Sequence, residues 1–233
     1  MRRLTLALDG LPALREVTRS REIDLTAAIT LAELAGVDAI RLAVNEELRP
    51  VRDEDLAEAR RAARRLELRM APTPALVKVA LEARPDQVVL AGLGRDGAEP
   101  LDLRVRSVSL DPVVRSLAEA GIPTTALVAP DLDAVKRVHS ESIPAIEFYT
   151  GSIIDLPDSE RRTELERLGD AVRLAAKLHM SIGLGGGLSF RTLPEVLEAC
   201  PAADAVVVGR AALGRALLVG LDRTVRDLRA RTA

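Results

Sequence analysis

The chain has 233 residues, of which 48% are hydrophobic and 29% charged, a balance typical of a globular α/β protein with one large core. Aromatic residues make up 1% of the sequence and the formal net charge is −2, so neither base-stacking surfaces nor a basic field indicates a nucleic-acid partner. The single cysteine, Cys200, excludes an internal disulfide and fits a reducing cytoplasmic setting.

The start of the chain carries no predicted targeting segment. Two arginines precede the apolar stretch from Leu4 to Leu8, which is too short for a signal peptide. No run in the sequence reaches the about 18 apolar residues that a membrane span needs. We therefore expect a cytoplasmic protein without a membrane partner.

In chain order, short apolar strands alternate with helical patterns eight times. The strands are predicted at Leu4 to Asp9, Asp38 to Val44, Leu66 to Ala71, Gln87 to Ala91, Thr124 to Val128, Ala145 to Tyr149, and two that begin at Ser181 and Ala205. The helices are predicted at Leu25 to Ala35, Asp53 to Arg65, a segment opened by Thr73-Pro74, Asp111 to Gly121, Asp131 to His139, Ser159 to His179, Phe190 to Ala199, and a final helix to about Arg229. Gly10 to Glu22 and Gly92 to Val105 are predicted as loops, the second of a length that often carries function.

This alternation predicts a parallel sheet. Because no linker or change of composition divides the eight units, we predict a single (β/α)8 TIM barrel domain over residues 1–233. The alternative is an open doubly wound sheet. It is disfavoured because a dinucleotide fold places its glycine-rich turn after the first strand, whereas here the glycine-rich turns come last.

The last two predicted strands each run into glycine and then into a helix. The first supplies Gly186 and Gly187, and the second supplies Gly209 followed by Arg210. Glycine leaves backbone N–H groups accessible to an anion, and the N-terminus of a helix favours negative charge. Since barrels often hold a phosphate in the loops after strands seven and eight, we predict a phosphate site here. The alternative is that the glycines only form tight turns.

Active-site side chains of a barrel lie at the C-terminal ends of its strands and point inward. Alternation along the strands gives the inward-facing candidates Asp9, Arg41, Ala43, Asn45, Glu67, Arg69, Glu147 and Tyr149. We expect Asp9, Arg69, Glu147 and Arg210 to meet at one mouth. They would form either an anion-binding site or a set of structural ion pairs that closes the barrel.

The two histidines, His139 and His179, both fall near the ends of predicted helices and away from this mouth. They are therefore interpreted as surface residues at helix termini rather than catalysts. No cluster of residues has metal-ligand spacing, so neither a metal nor another cofactor is predicted.

Five segments together resemble the pyridoxine 5′-phosphate synthases. They are Ala7-Leu8-Asp9-Gly10 with Leu14-Arg15, Ala35-Gly36-Val37-Asp38, Ile146-Glu147-Phe148-Tyr149-Thr150-Gly151, Gly183 to Leu188, and Gly209-Arg210-Ala211 with Gly214-Arg215-Ala216 and Val219-Gly220-Leu221. The family motifs they resemble are N-x-D-H…L-R, A-G-A-D, I-E-I-H-T-G, N-A-G-H-G-L and I-G-H-A-I-I-G-R-A…T-G-L. The resemblance implies a (β/α)8 barrel that condenses 1-deoxyxylulose 5-phosphate with 3-amino-2-oxopropyl phosphate, and it makes a homo-oligomer plausible.

The chain departs from this pattern where the family performs acid–base chemistry. By the resemblance, Ala43 and Gly186 stand where the family has histidines, and Arg69 replaces its glutamate on the third strand. The further replacements are Ala7 for an asparagine, Gly10 for a histidine, Asn45 for an arginine, and Arg210 for a histidine of the phosphate site. The positions kept are Asp9, Glu147, Gly187 and Gly209, and among them Glu147 is the retained catalytic position.

Three functions fit these residues. The first is a protein without synthase activity that binds a small phosphorylated ligand and acts as a sensor or as the partner of another protein. The second is an active synthase with altered catalytic residues, and the third is a scaffold that binds nothing. The first is preferred because glycine and alanine transfer no protons and arginine stays protonated, whereas a phosphate site needs only N–H groups and a cation.

Overall fold

Eight parallel strands close into a barrel, each hydrogen-bonded to the next in chain order, in a computed structural model that describes residues 1–92, 99–103, 110–154 and 156–232. The strands are β1 Arg3–Ala7, β2 Ala39–Ala43, β3 Leu66–Met70, β4 Gln87–Leu90, β5 Thr124–Val128, β6 Ala145–Tyr149, β7 Ser181–Gly185 and β8 Ala205–Val208. The predicted (β/α)8 architecture is therefore confirmed. Most of the predicted functional loop from Gly92 to Val105 lies outside the described residues.

Helices surround the barrel and follow its strands in sequence. Within the described residues they are α1 Gly10–Thr18, α2 Leu25–Leu34, α3 Asp53–Ala62, α4 Pro74–Ala83, α5 Asp111–Glu119, α6 Leu132–Ser140, α7 Gly151–Ile154, α8 Asp158–Lys177, α9 Leu193–Ala199, α10 Arg210–Val219 and α11 Leu221–Thr232. None of these helices has the length and apolar character needed to cross a membrane.

The main hydrophobic core lies between the strands and the surrounding helices. Leu4 and Leu6 of β1 point outward into it and are fully buried, as are Ile29 and Ala32 of α2. Burying one such leucine side chain contributes roughly 1.5–3 kcal/mol. Because strand side chains alternate between faces, the intervening residues point into the barrel, and these residues form the candidate site.

The prediction of a loop from Gly10 to Glu22 is wrong, because most of this segment, Gly10–Thr18, is the helix α1. Pro12 lies in the first turn of that helix, where it needs no hydrogen-bonded N–H, and it is buried. The single helix predicted at the C-terminus is also wrong. Gly220 adopts a φ of 86° and divides that segment into α10 and α11, which is a common role for glycine at a helix end.

The helix predicted from Asp53 to Arg65 ends earlier, at Ala62. Ala63 is extended, and the next residue, Arg64, donates its backbone N–H to Glu33 Oε1 at 2.7 Å and its Nε to Glu33 Oε2 at 2.9 Å. This contact with the neighbouring α2 draws the chain away from the helix axis. Sequence periodicity alone does not reveal such a long-range partner.

Candidate functional site

The barrel interior has a charged side and an apolar side. Thr5, Arg41, Glu67 and Arg69 point inward from β1 to β3 and are buried. On the opposite side, β4 and β5 contribute a small buried apolar cluster of Val89, Ala91 and Leu127, against which the ring of Tyr149 packs. A ligand in this barrel would therefore contact charge along one wall and hydrocarbon along the other.

Arg41 joins two buried carboxylates in the middle of the barrel. Its Nε and Nη2 donate to Glu67 Oε2 at 3.1 and 2.8 Å, and its Nη1 donates to Glu147 Oε1 at 2.8 Å. Its Nη2 also lies 2.7 Å from Glu147 Oε2. Burial alone would lower the pKa of Arg41, but the two carboxylates outweigh that effect and raise the pKa above its ordinary value. We call these three residues the ion-pair plug.

The ion-pair plug changes the interpretation of Glu147. Sequence analysis grouped Glu147 with Asp9, Arg69 and Arg210 at the mouth, but its carboxylate is buried and both of its oxygens contact Arg41. Arg41 and Glu67 were inward-facing candidates that the predicted site did not include. Their positions in the sheet indicate that they belong together, since Arg41 of β2 lies directly opposite Glu67 of β3 in the hydrogen-bonded register.

Asp9 and Arg69 lie at the C-terminal mouth of the barrel. Arg69 Nη2 is 3.8 Å from Asp9 Oδ2, and Asp9 Oδ1 is buried and accepts no hydrogen bond from any described residue. The pKa of Arg69 lies below its ordinary value, chiefly because the side chain is buried. The carboxylates of Asp9 and Glu147 oppose this effect, and the positive charges of Arg41 and Arg210 add to it. Guanidinium groups such as Arg69 and Arg210 are suited to bind an anion.

The predicted glycines lie beside this mouth and form what we call the glycine cradle, Gly186, Gly187 and Gly209. Gly186 and Gly187 follow β7 with φ angles of 78° and 133°, which side-chain-bearing residues rarely adopt. Gly209 precedes α10, and Arg210 is the first residue of that helix and is exposed. The unpaired N–H groups in the first turn of the ten-residue helix α10 therefore lie at the C-terminal end of β8, where they can donate to an anion.

Tyr149 closes one side of the glycine cradle. A Cβ atom at Gly186 would lie 2.2 Å from Tyr149 Cδ2, and one at Gly151 would lie 2.2 Å from the Tyr149 hydroxyl. Both distances are far below van der Waals contact, so the ring of Tyr149 occupies the space that side chains at these two positions would need. Sequence analysis named Tyr149 and Gly186 separately and missed this contact.

Several contacts fix the loop that carries the glycine cradle. Thr150 donates its N–H and its Oγ1 to the carbonyl of Gly185 at 2.7 and 2.9 Å. After the glycines, the guanidinium groups of Arg215 and Arg231 lie over the ring of Phe190, at 4.8 and 5.8 Å from the ring centroid. Cation–π contacts of this kind link the loop to α10 and α11 and hold it in one conformation.

The histidines lie elsewhere. His139 is in the last turn of α6, and His179 follows α8 with a φ of 57°. Helices of a barrel run antiparallel to its strands, so both residues lie at the end of the barrel opposite the glycine cradle. Within the described residues, no group of three or more histidine, cysteine, aspartate or glutamate side chains is arranged to hold a metal ion.

Cys200 is expected to be unreactive in the folded protein. It is fully buried, and burial raises the pKa of its thiol to about 12. Since the thiolate is the reactive form, a thiol reagent at about pH 8 should label native protein far more slowly than urea-unfolded protein. Mass spectrometry of both samples measures this difference, and equal labelling rates would contradict the assigned burial.

Comparisons with known proteins agree over almost the whole chain. Residues 4–233 match the model of a family described as "Pyridoxal phosphate biosynthesis protein PdxJ". A pyridoxine 5′-phosphate synthase of Geobacter metallireducens is 35% identical over 98% of this chain and 97% of its own length, and one of Citrifermentans bemidjiense is 34% identical over the same shares. Among solved structures, a thiamine phosphate pyrophosphorylase from Pyrococcus furiosus matches 99% of this chain and 95% of its own with a TM-score of 0.64. That structure is 15% identical and therefore supports the fold alone.

Proposed function

The chain belongs to the PdxJ family of pyridoxal phosphate biosynthesis proteins, and from this premise we propose that it binds a small phosphate ester without performing the synthase reaction. In this proposal it acts in the cytoplasm as a sensor of that ligand or as the partner of another protein. The observation that carries the proposal is the combination of the glycine cradle with the guanidinium groups of Arg69 and Arg210 near the same mouth.

The mouth has a complementary group for each part of such a ligand. The backbone N–H groups of the glycine cradle and the first turn of α10 would bind the phosphate, and Arg210 would neutralise its charge. Asp9 Oδ1, which accepts no bond from the described residues, would accept one from a hydroxyl or ammonium group of the ligand. The apolar wall around Tyr149 would contact the body of the ligand.

Proton transfer is the part of the synthase reaction that these residues do not support. By resemblance to the family, Ala43, Arg69 and Gly186 occupy three positions of acid–base side chains. A positioned acid or base typically accelerates a reaction about 10²–10⁴-fold, so losing three would reduce the rate by roughly 10⁶-fold or more if their effects were independent. The retained glutamate, Glu147, has both carboxylate oxygens in contact with Arg41, so it is engaged in the ion-pair plug rather than directed at a ligand in the mouth.

Two alternatives rest on particular observations. The ion-pair plug would suit a scaffold that binds nothing, because it places paired charges at the centre of the barrel. The phenol of Tyr149 beside the glycine cradle would suit a synthase that uses a different proton donor. The scaffold alternative requires that the mouth bind no phosphate ester. The synthase alternative requires that the protein convert its two substrates into pyridoxine 5′-phosphate.

Self-association is also part of the proposal. Val17 at the end of α1 and Leu217 and Leu218 at the end of α10 are large apolar side chains with exposed fractions of 83%, 67% and 85%. These two helices contact each other, so the three exposed side chains belong to adjacent helices of the outer surface. We infer that this surface is covered in a homo-oligomer.

Calorimetry tests the phosphate site. Pyridoxine 5′-phosphate, pyridoxal 5′-phosphate and small sugar phosphates are titrated into the wild-type protein, into Arg210→Gln and into Arg223→Gln, which removes an exposed charge from α11. We expect wild type and Arg223→Gln to bind alike, and Arg210→Gln to bind roughly tenfold or more weakly because a charge-assisted hydrogen bond is lost. The absence of binding to wild type at millimolar ligand would contradict the proposal.

A further inference from the structure

We propose that the N-terminal end of the barrel holds a second binding site, specific for a small oxyanion, that is separate from the glycine cradle. The site is a cavity of about 220 Å³ that we call the N-terminal cavity. Its wall is formed by the first inward-facing residues of the strands, among them Arg3, Thr5, Gln87 and Thr125, and by Arg65 just before β3.

The cavity exists because one side of the barrel carries small residues at this level. Ala145 of β6, Gly183 of β7 and Ala205 of β8 all line it, and none of them reaches far into the barrel. Arg41 and Glu147 of the ion-pair plug also line it, whereas Asp9, Arg69 and the glycine cradle do not. The ion-pair plug therefore lies between the N-terminal cavity and the opposite mouth.

The polar groups of the cavity include more unused donors than unused acceptors. Arg3 Nε and Arg65 Nε are buried without a hydrogen bond to any described residue, and so is the hydroxyl of Thr5. The unused acceptor near them is Glu67 Oε1, which lies 3.8 Å from Arg3 Nε and 3.6 Å from Arg65 Nε. These distances exceed the usual range for an N–H···O hydrogen bond, so the arginines keep donor capacity for another acceptor.

The charges around the cavity are balanced, so its preference for an anion rests on the unused donors. Arg41 donates to its two glutamates, and Asp204, which also lines the cavity, accepts the backbone N–H of Ile182 with its Oδ2 at 2.8 Å. Arg3 and Arg65 remain as partly exposed guanidinium groups, with side-chain exposures of 37% and 35%, at the entrance. Planar guanidinium groups on two sides of a cavity suit a carboxylate or a phosphate.

One of these arginines is held in position before any ligand arrives. Arg65 Nη2 donates to Gln87 Oε1 at 2.6 Å, and Gln87 Nε2 in turn donates to Thr125 Oγ1. Thr5, whose hydroxyl is unused, is only 1% exposed and lines the same cavity. A fixed cation and a buried unused hydroxyl are what a preorganised binding site requires.

The test uses the full chain with inorganic phosphate and malonate as probes, in a background of Arg210→Gln that weakens the glycine cradle. Calorimetry compares this protein with the same protein carrying Arg65→Gln or Thr5→Val. Thr5→Val keeps the side-chain shape and breaks no hydrogen bond among the described residues, so it should fold even if Arg65→Gln does not. We expect each variant to weaken binding of at least one probe by roughly tenfold.

Failure of this inference is distinct from failure of the proposed function. If Arg210→Gln protein binds neither probe, or if Thr5→Val and folded Arg65→Gln both leave the isotherms unchanged, the N-terminal cavity holds solvent only and the inference is overturned. Loss of binding in these variants supports it, whatever the wild-type protein does with phosphate esters at the other mouth.

Discussion

Replacing Arg41 with methionine is expected to lower the free energy of unfolding by about 3–5 kcal/mol, because it removes the cation that is hydrogen-bonded to two buried carboxylates. Glu67 and Glu147 are both nearly inaccessible to solvent, with exposed fractions of 0% and 2%. Because these carboxylates are buried, the hydrogen bonds that Arg41 donates to them are costly to lose. For a chain of this size, the loss corresponds to a fall of roughly 6–20 °C in Tm.

Urea denaturation followed by circular dichroism measures this change. The matched control is Arg162→Met, which removes a guanidinium group from an exposed pair with Glu166 and should change stability by less than about 0.5 kcal/mol. A triple variant, Arg41→Met with Glu67→Leu and Glu147→Leu, should regain most of the loss because no buried carboxylate remains. Arg3 and Arg65, which lose Glu67 in this variant, are about one-third exposed to solvent. Equal stability of Arg41→Met and wild type would contradict the assigned ion-pair plug.

Adding a side chain at Gly186 is expected to have the second largest effect. A Cβ there would collide with the ring of Tyr149, and the φ of 78° disfavours any residue but glycine. Gly186→Ala should therefore cost about 2–4 kcal/mol from overpacking and backbone strain, and it should weaken phosphate binding by displacing the loop. Gly214→Ala is the control, since a Cβ at that helical position meets no atom within 4 Å.

The collision with Tyr149 also predicts coupling between the two positions. Gly186→His alone should be strongly destabilised, whereas Tyr149→His with Gly186→His restores the residues of the family motifs and removes the large ring. A double-mutant cycle should give an interaction energy of about 0.5–3 kcal/mol in favour of the double variant. Strictly additive effects on the free energy of unfolding would mean that Tyr149 does not occupy the space over Gly186.

Much of the fold could be predicted from the sequence because it depends on local patterns. The strands Thr124–Val128 and Ala145–Tyr149 have the predicted bounds, and Thr73 caps α4 by accepting the N–H of Leu76. Errors arose where contacts distant in sequence decide the outcome. The helix after Asp53 ends early because Glu33 binds Arg64, a contact between residues 31 positions apart.

The site was predictable in part for the same reason. The glycines of the cradle stand out in the sequence because their spacing follows strand and helix boundaries. By contrast, the sequence does not reveal that Arg41 is the partner of Glu147. The two residues are 106 positions apart, and only the closed barrel brings them together. Likewise, the packing of Tyr149 against Gly186 depends on the hydrogen-bonded register of β6 and β7, in which Tyr149 pairs with Gly185.

Phosphorus NMR of the protein mixed with 1-deoxyxylulose 5-phosphate and 3-amino-2-oxopropyl phosphate tests most directly whether the mouth binds phosphate esters without converting them. We expect the resonance of at least one of these esters to broaden or shift on addition of wild-type protein, and to recover in Arg210→Gln. We expect no resonance of inorganic phosphate or pyridoxine 5′-phosphate to grow over hours. Growth of both product signals in proportion to protein concentration, or ester resonances that the protein leaves unchanged, would contradict the account.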